Sequence, residues 1–228
     1  MKVSPVMKKI IVLISLSVMS KTFGQEPLKY LALGDSYTIG EQVAEVNSWP
    51  FQLTSHLNTK SFKVEDPEII AVTGWRTDEL LDSIATENYK PNSFDLVSLL
   101  IGVNNQYQKK PFKQFKKEFE VLLQTAISLS AHDEKGVFIV GIPDYSLSKF
   151  AQDEKLRRVS SRLKRYNRYI QKMSQRYAVA FYPLQKLSKP LHKNQDMLAE
   201  DFLHPSGEQY RVWVDSFKDR VVDQLNNL

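Results

Sequence analysis

A serine, a histidine and a carboxylate occur in segments whose local sequence is typical of reactive sites. Ser36 follows an apolar run at residues 31–33 and the pair Gly34-Asp35, a pattern that predicts a buried strand entering a tight turn. Much later in the chain, Asp201 stands three residues before His204. A hydroxyl, an imidazole and a carboxylate together make a neutral alcohol nucleophilic at neutral pH. The leading hypothesis is therefore a serine hydrolase in which Ser36 attacks an ester.

Two loops between these segments carry further candidate groups. Gly74 follows a predicted strand and would let a backbone N–H approach a ligand closely, while Thr77 is placed to cap the next helix. Asn104, followed by Asn105, comes after the most hydrophobic predicted strand, and its uncharged amide is a donor suited to a developing oxyanion. Glycine and paired asparagines also occur in ordinary turns. The position of Asn104 after a central strand favours ligand binding.

His204 has a better defined local setting than the other histidines. Pro205 favours extended backbone at His204, and Ser206 with Gln209 has the spacing of a capping box. This pattern predicts a short turn in which Asp201 reaches the His204 ring. Surface positions are expected for the remaining histidines, which are His56, His132 and His192.

Short apolar runs alternate with longer amphipathic ones along the chain. Strands are predicted over residues 30–33, 68–72, 94–101, 137–142 and 179–182. Helices are predicted over residues 48–58, 77–89, 111–131, 153–177 and 206–225. This alternation predicts an α/β protein with one parallel sheet covered on both faces, and with its site at the carboxyl ends of the strands.

The predicted helix over residues 153–177 has a strongly basic face. Its apolar residues step by three and four, and the positions between them carry Arg157, Arg158, Arg162, Lys164, Arg165, Arg168 and Lys172. Such a face can bind an acidic polymer, but the favoured interpretation is a solvated helix surface.

The N-terminus has the features of a signal peptide. Lys8 and Lys9 precede an apolar run at residues 10–19, and small residues follow near Gly24. We expect a signal peptide over residues 1–24 and one domain over 25–228, exported to the periplasm or secreted without stable membrane insertion. Because residues 1–24 hold four lysines and no acid, their removal lowers the net charge from +5 to +1. No nucleic-acid partner is expected from that balance, and the lack of cysteine excludes disulfides.

In four motifs, and in their order, the chain resembles the SGNH, or GDSL-type, hydrolases and esterases. The motifs are Gly34-Asp35-Ser36, Gly74, Gly102-Val103-Asn104 and Asp201-Phe202-Leu203-His204-Pro205, and they extend over nearly the whole predicted domain. Two positions depart from the family pattern. Tyr37 stands where the motif has leucine, and Asn105 replaces an aspartate that often follows the asparagine. If that aspartate holds the loop, Asn105 must do so by neutral hydrogen bonds.

The resemblance implies a three-layer α/β/α, flavodoxin-like domain with a five-stranded parallel sheet. It implies that Ser36 is the nucleophile, His204 the base and Asp201 the residue that orients it. The oxyanion hole would use the backbone N–H groups of Ser36 and Gly74 and the Asn104 side chain. No cofactor or metal is implied, and the oligomeric state is left open.

The expected substrate is a small-molecule or carbohydrate ester with a short, acetyl-like acyl group. Aromatic residues predicted near the strand ends form a candidate wall, comprising Trp49, Trp75, Tyr107, Tyr145 and Phe202, of which Trp75, Tyr107 and Phe202 are the substrate-binding candidates. Three alternatives remain open. An acyltransferase would use the same triad, and a non-catalytic glycan-binding module would use the fold without turnover. A flavin or nucleotide binder on the same fold is disfavoured, because the sequence has no glycine-rich phosphate loop.

Overall fold

The structure is a computed structural model that describes residues 26–60 and 62–228. The expected signal peptide, residues 1–24, lies outside the described residues. Within the described ranges, no helix combines the length and the apolar character that crossing a membrane requires.

Five parallel strands form a single sheet in the order β2-β1-β3-β4-β5. The strands are β1 Tyr30–Asp35, β2 Glu68–Val72, β3 Leu96–Leu100, β4 Val137–Val140 and β5 Ala180–Tyr182. Each of them lies where the sequence predicted a strand. The five-stranded parallel sheet is therefore confirmed.

Helices cover both faces of the sheet, so the three-layer α/β/α architecture is also confirmed. The helices are α1 Ser36–Ile39, α2 Trp49–Asn58, α3 Thr77–Thr86, α4 Val103–Tyr107, α5 Phe112–Leu129, α6 Lys149–Asp153, α7 Val159–Arg176, α8 Gln185–Leu191, α9 Gly207–Asp215 and α10 Lys218–Asn226. Helices α2, α9 and α10 pack together in one layer, while α3, α5 and α7 pack together in the other. Short 3₁₀ turns occur at Glu45–Asn47, Asp133–Gly136 and Gln195–Met197.

The burial of the strands reflects their central or edge positions in the sheet. Every residue of β3 and β4 is buried, as expected for strands whose two faces are both covered by helices. The one polar residue of β3, Ser98, forms a hydrogen bond with the Tyr30 hydroxyl at 2.9 Å, so its burial leaves no unpaired oxygen. By contrast, β2 lies at the sheet edge and exposes Glu68 and Val72 at its two ends.

The predicted helix over residues 206–225 is wrong as one element, because the structure divides it into α9 and α10. The chain leaves helical geometry at Phe217, which is 1% exposed and whose ring stacks on Tyr182 with centroids 5.2 Å apart. The break lets the Phe217 side chain enter the core between the sheet and α2. The predicted helix over 153–177 also begins later, at Val159, because Arg158 adopts a φ of 59° and separates it from the short α6.

We predict that Phe217→Ala destabilises the protein by about 3–5 kcal/mol, the usual range for removal of a buried aromatic side chain. Val121→Ala on α5 serves as the control, because Val121 is 48% exposed and its truncation creates no core cavity. Urea unfolding of both variants measures the difference. Equal stability of the two variants would contradict the anchoring role of Phe217.

Candidate active site

The loops that follow β1, β2 and β3 meet at the carboxyl edge of the sheet and surround a cavity of about 150 Å³. Four of the predicted catalytic and oxyanion-hole residues line this cavity, namely Ser36, Gly74, Asn104 and His204. The remaining wall is mostly apolar or aromatic and includes Tyr37, Val103, Tyr107, Tyr145, Phe150 and Leu203. Residues separated by up to 168 positions in the chain are thus brought to one cavity, because parallel strands end at one edge.

Ser36 is held at the start of α1 by the residue before it. The Asp35 carboxylate caps this helix, since its Oδ1 accepts a hydrogen bond from the Tyr37 N–H at 3.1 Å. The Asp35 side chain is fully buried, and its Oδ2 has no hydrogen-bond partner among the described residues. Burial raises the pKa of Asp35 to about 7, although the backbone N–H groups of Tyr37 and Gly102 act in the opposite direction. Near neutral pH the group behind Ser36 is therefore only partly charged.

The asparagine pair after β3 ties two loops together. The Asn104 Nδ2 donates to the Trp75 carbonyl at 2.9 Å, which fixes the amide and leaves its second N–H free to point elsewhere. Asn105 is fully buried, and its side chain accepts from the Thr77 N–H at 3.1 Å and donates to the Thr77 hydroxyl at 2.7 Å. Asn105 thus holds the loop by neutral hydrogen bonds, as expected for an uncharged residue at this position.

Thr77 does not cap α3, contrary to the prediction from the sequence. The cap position is Arg76, whose backbone N–H donates to Glu79 Oε2 at 2.9 Å. Thr77 is the first residue of the helix, and its hydroxyl donates to Glu118 Oε2 at 2.5 Å. The hydroxyl is used to join the loop to α5 rather than to terminate a helix.

The Asp201–His204 segment is a tight turn closed by one carboxylate. Asp201 Oδ1 accepts from the backbone N–H groups of Leu203 and His204, both at 2.9 Å, and Oδ2 lies 2.5 Å from His204 Nδ1. Phe202 allows this turn by adopting a φ of 56°. Beyond the turn, Ser206 caps α9 by accepting from the Gln209 N–H at 3.4 Å, which is one half of the predicted capping box, while the Gln209 side chain donates to the Met197 carbonyl at 2.6 Å.

The charge on Asp201 determines which nitrogen of the His204 ring carries the proton. Burial alone would raise the pKa of Asp201, but hydrogen bonds from the His204 ring and from the His204 and Leu203 backbone outweigh it and lower the pKa to about 2. An ionised carboxylate only accepts hydrogen bonds, so His204 Nδ1 must carry the proton. In the neutral ring Nε2 then holds the free lone pair. The structure shows no hydrogen bond between this ring and the Ser36 hydroxyl, a contact that often tightens only with substrate bound.

Tyr37 packs directly against the imidazole. Its ring lies edge-on to the His204 ring, with centroids 5.6 Å apart, and contacts Trp213 on its other side at 5.9 Å. Tyr37 is only 2% exposed, so it is a fixed part of the wall beneath His204. The residue that departs from the family motif therefore supports the ring rather than facing solvent.

The predicted aromatic wall is only partly assembled at the cavity. Tyr107 and Tyr145 line it, whereas Trp49 is fully buried and packs against Phe138 and Phe217 in the core. Trp75 and Phe202 are not among the lining residues. Trp75 contributes its carbonyl to Asn104, and Phe202 is 38% exposed with its carbonyl accepting from the Phe150 N–H. Phe150, which sequence analysis missed, lines the cavity from α6 and packs against Tyr107 with centroids 6.1 Å apart.

His192 is a correction to the expected surface histidines, because it is 1% exposed. Its Nδ1 lies 2.9 Å from the Ser188 carbonyl one turn earlier in α8. Burial lowers the pKa of His192 to about 4, so the ring stays neutral in the folded protein at physiological pH. Among the described residues, no group of three or more acidic or histidine side chains is arranged to hold a metal ion.

Comparison with known proteins gives a family and a set of similar structures. A family model described as GDSL-like Lipase/Acylhydrolase matches residues 32–212. No curated protein matches the chain. An acetyl xylan esterase, AlAXEase, is 18% identical with a TM-score of 0.66, covering 85% of this chain and 100% of its own.

Two further solved structures have the same fold. Axe2, an acetylxylan esterase from Geobacillus stearothermophilus, is 14% identical with a TM-score of 0.64, covering 87% of this chain and 94% of its own. The esterase EstA from a Pseudoalteromonas species is 16% identical with a TM-score of 0.61, covering 87% and 99%. At these identities the structural likeness establishes the fold.

We predict that the buried His192 contributes a loss of stability in mild acid. Between pH 6.5 and 4 the unfolded chain binds a proton at His192 that the folded chain does not, so this contribution to stability falls as pH decreases through the window. It amounts to about 2 kcal/mol between pH 7 and 5 for a shift of this size. Asp35, with its pKa raised to about 7, has the opposite effect on stability over the same window. Urea unfolding at both pH values therefore measures the His192 contribution as the difference between the unmodified protein and His192→Gln.

His192→Gln should gain about 2 kcal/mol of stability relative to the unmodified protein on going from pH 7 to 5, whereas His132→Gln, which alters a half-buried ring near the surface, should show no such gain. A His192→Gln variant with the same pH dependence as the unmodified protein would show that another group is responsible.

Proposed function

The chain belongs to the GDSL-like lipase/acylhydrolase family, and on that premise we propose that it is an exported serine esterase for short-acyl esters. The family and the similar structures make it a carboxylic ester hydrolase. The observation that carries the proposal is the meeting of Ser36, His204 and Asn104 at one cavity, with Asp201 bound to the His204 ring. Export is proposed from the composition of residues 1–24 alone.

The proposed reaction begins with proton transfer from Ser36 to His204. Asp201 holds Nδ1–H, so Nε2 is the nitrogen available to take the Ser36 hydroxyl proton as Oγ bonds to the ester carbonyl carbon. The same Nε2–H then protonates the alkoxide as the bond between the carbonyl carbon and the leaving oxygen breaks. Water repeats the sequence on the acyl-serine, giving the free acid and restoring Ser36.

The negative charge that develops on the carbonyl oxygen requires donors at the same edge of the sheet. The proposed donors are the backbone N–H groups of Ser36 and Gly74 and the second N–H of Asn104 Nδ2. The bond from Asn104 to the Trp75 carbonyl supports this role, because it orients the amide before substrate arrives. Gly74 has a φ of 85° and open space around its Cα, which suits the close approach of an oxyanion.

The size and lining of the cavity support a short acyl group. A cavity of about 150 Å³ bounded by Val103, Phe150 and Leu203 offers apolar contact but little length. Tyr145 is 2% exposed, and its hydroxyl donates to the buried Gln106 side chain at 3.1 Å, which fixes it as a rigid wall. Two of the similar structures are named as acetylxylan esterases, which supports acetyl groups on carbohydrates as substrates to test first.

We predict that Ser36→Ala lowers the turnover of 4-nitrophenyl acetate by on the order of 10⁴-fold, because no other side chain replaces the nucleophile. The mature chain is assayed on the acetate, butyrate and octanoate esters, and kcat/KM is expected to fall with chain length. Ser55→Ala on the exposed face of α2 is the matched control and should keep full activity.

Unchanged turnover in a folded Ser36→Ala protein would remove the central claim. Transfer of acetyl to an added sugar in place of water would identify an acyltransferase. Glycan binding without serine-dependent turnover would instead identify a non-catalytic module.

Asn104→Ala is predicted to lower kcat by about 10²–10³-fold with a much smaller effect on KM, since the lost donor acts mainly in the transition state. Asn226→Ala, exposed at the end of α10, is the control for a general effect of the substitution. Steady-state kinetics separate the two parameters. A change in KM alone would place Asn104 in ground-state binding and outside the oxyanion hole.

A further inference from the structure

Tyr107 and Tyr145 form a wall shared by the active-site cavity and a second pocket of about 320 Å³. Unlike the first, the second pocket has charged side chains at half of its lining positions. Four of them are the cations Lys109, Lys155, Arg157 and Arg162, and the one carboxylate is Glu154. An excess of positive charge therefore lies directly behind the aromatic wall of the site.

The positive charge continues into a third pocket of about 300 Å³. Lys109 and Arg162 line both pockets, and Lys110 and Arg165 extend the cationic lining. We call these two connected pockets the basic groove, lined by Lys109, Lys110, Lys155, Arg157, Arg162 and Arg165.

No cation of the basic groove belongs to an ion pair among residues 26–60 and 62–228. Elsewhere in the protein, the half-buried Arg76 and the exposed Arg211 contact two carboxylates each. Arg165 is held by the face of the Phe112 ring, 4.0 Å from its centroid, a contact that leaves its charge uncompensated. The single carboxylate of the lining, Glu154, leaves most of this positive charge unbalanced, which favours an external anion at the groove.

The backbone contributes to the same arrangement. Lys109 and Lys155 have φ values of 57° and 49°, and each follows the end of a short helix, α4 or α6. Glycine is the usual residue in that conformation, as Gly40 is after α1 with a φ of 78°. A lysine in that conformation is strained relative to glycine. Both lysines nevertheless project into the groove.

We infer that the basic groove binds an anionic group, a carboxylate or a phosphate, on the alcohol part of the ester that this site hydrolyses. This inference rests on the proposed esterase function. The apolar cavity at Ser36 suits the acyl group, so the open, charged groove beyond Tyr107 is left for the alcohol part. Arg162 lines both pockets of the groove, and its planar guanidinium can form two hydrogen bonds to either anion.

The charge distribution favours a discrete anionic substituent over a long polyanion. Without residues 1–24 the net charge is only +1, so the groove is a local feature on an otherwise balanced surface. The basic face of α7, favoured from the sequence as a merely solvated surface, is therefore divided into two parts. Arg162 and Arg165 belong to the groove, whereas Arg168 and Lys172 lie further along the helix outside it.

The test compares acetylated methyl glucoside, methyl glucuronide and methyl glucoside 6-phosphate as substrates. We expect kcat/KM for at least one anionic ester to exceed that of the neutral ester about 10-fold at low salt, and the ratio to fall with added sodium chloride. Comparison of the glucuronide with the 6-phosphate shows which anion is preferred. The double variant Lys109→Gln with Arg162→Gln should bring the ratio close to one.

The control is Arg168→Gln with Lys172→Gln, which removes the same charge from exposed positions on α7 outside the groove and should retain the ratio. Serine-dependent hydrolysis with no anionic preference, or with the same preference in the groove variant, overturns the inference and leaves the esterase function intact.

A protein that hydrolyses no ester contradicts the proposed function, and the groove is then tested by binding. Isothermal titration of Ser36→Ala with methyl glucuronide and with inorganic phosphate measures affinity without turnover. Binding that is lost when Lys109 and Arg162 are also replaced supports an anion site. Absent binding, or binding that is unchanged by those replacements, overturns it.

Discussion

The close contact between β1 and β3 at Gly34 is the constraint on which the site depends. A Cβ at this position would lie 2.6 Å from the Leu100 carbonyl oxygen and would also overlap the Thr38 side chain. Only glycine allows the end of β1 to pair with β3 in register, Gly34 beside Leu100, while α1 folds back over it. Ser36 and Asn104 follow these two strands by a few residues, so the same contact determines that they face one cavity.

The site contains two carboxylates whose environments shift their pKa values in opposite directions. Asp35 is enclosed behind α1, where burial raises its pKa to about 7, and it serves as a helix cap. Asp201 is near the surface and receives three hydrogen bonds, which lower its pKa to about 2 despite partial burial. Only Asp201 is therefore a fixed negative charge next to an imidazole. A partly neutral Asp35 also places less negative charge behind Ser36, where a full charge would oppose the proposed oxyanion.

The sequence predicted the parts of the fold that follow from local composition. All five strands were found because buried parallel strands are short, nearly continuous apolar runs, and the Asp201–His204 turn was found because Pro205 and Ser206 define it. Short helices such as α4, α6 and α8 were missed because one or two turns are too few to show a period. Phe150 was missed with α6, and the burial of His192 was missed with α8, since the place of each residue depends on tertiary packing.

Phe217 was missed for a related reason. Apolar residues continue at helical spacing from α9 into α10, and nothing local shows that the Phe217 side chain enters the core beside Tyr182. The basic groove was equally invisible, because its lysines come from loops after α4 and α6 while its arginines come partly from α7. The charges along one helix indicate a basic face, but only the fold shows which cations of that face lie near cations from other segments.

Tyr107 and Tyr145 form a wall between two parts of the site, and each part selects the substrate by a different property. On one side an apolar cavity discriminates by size, because apolar contact has no direction and is limited by the space available. On the other side the groove discriminates by charge, which acts at longer range and weakens with salt. Binding energy gained from a charge remote from the carbonyl can position the ester against Ser36 without filling the cavity. A small acyl group, which offers few contacts of its own, is the kind of substrate for which such remote binding contributes most.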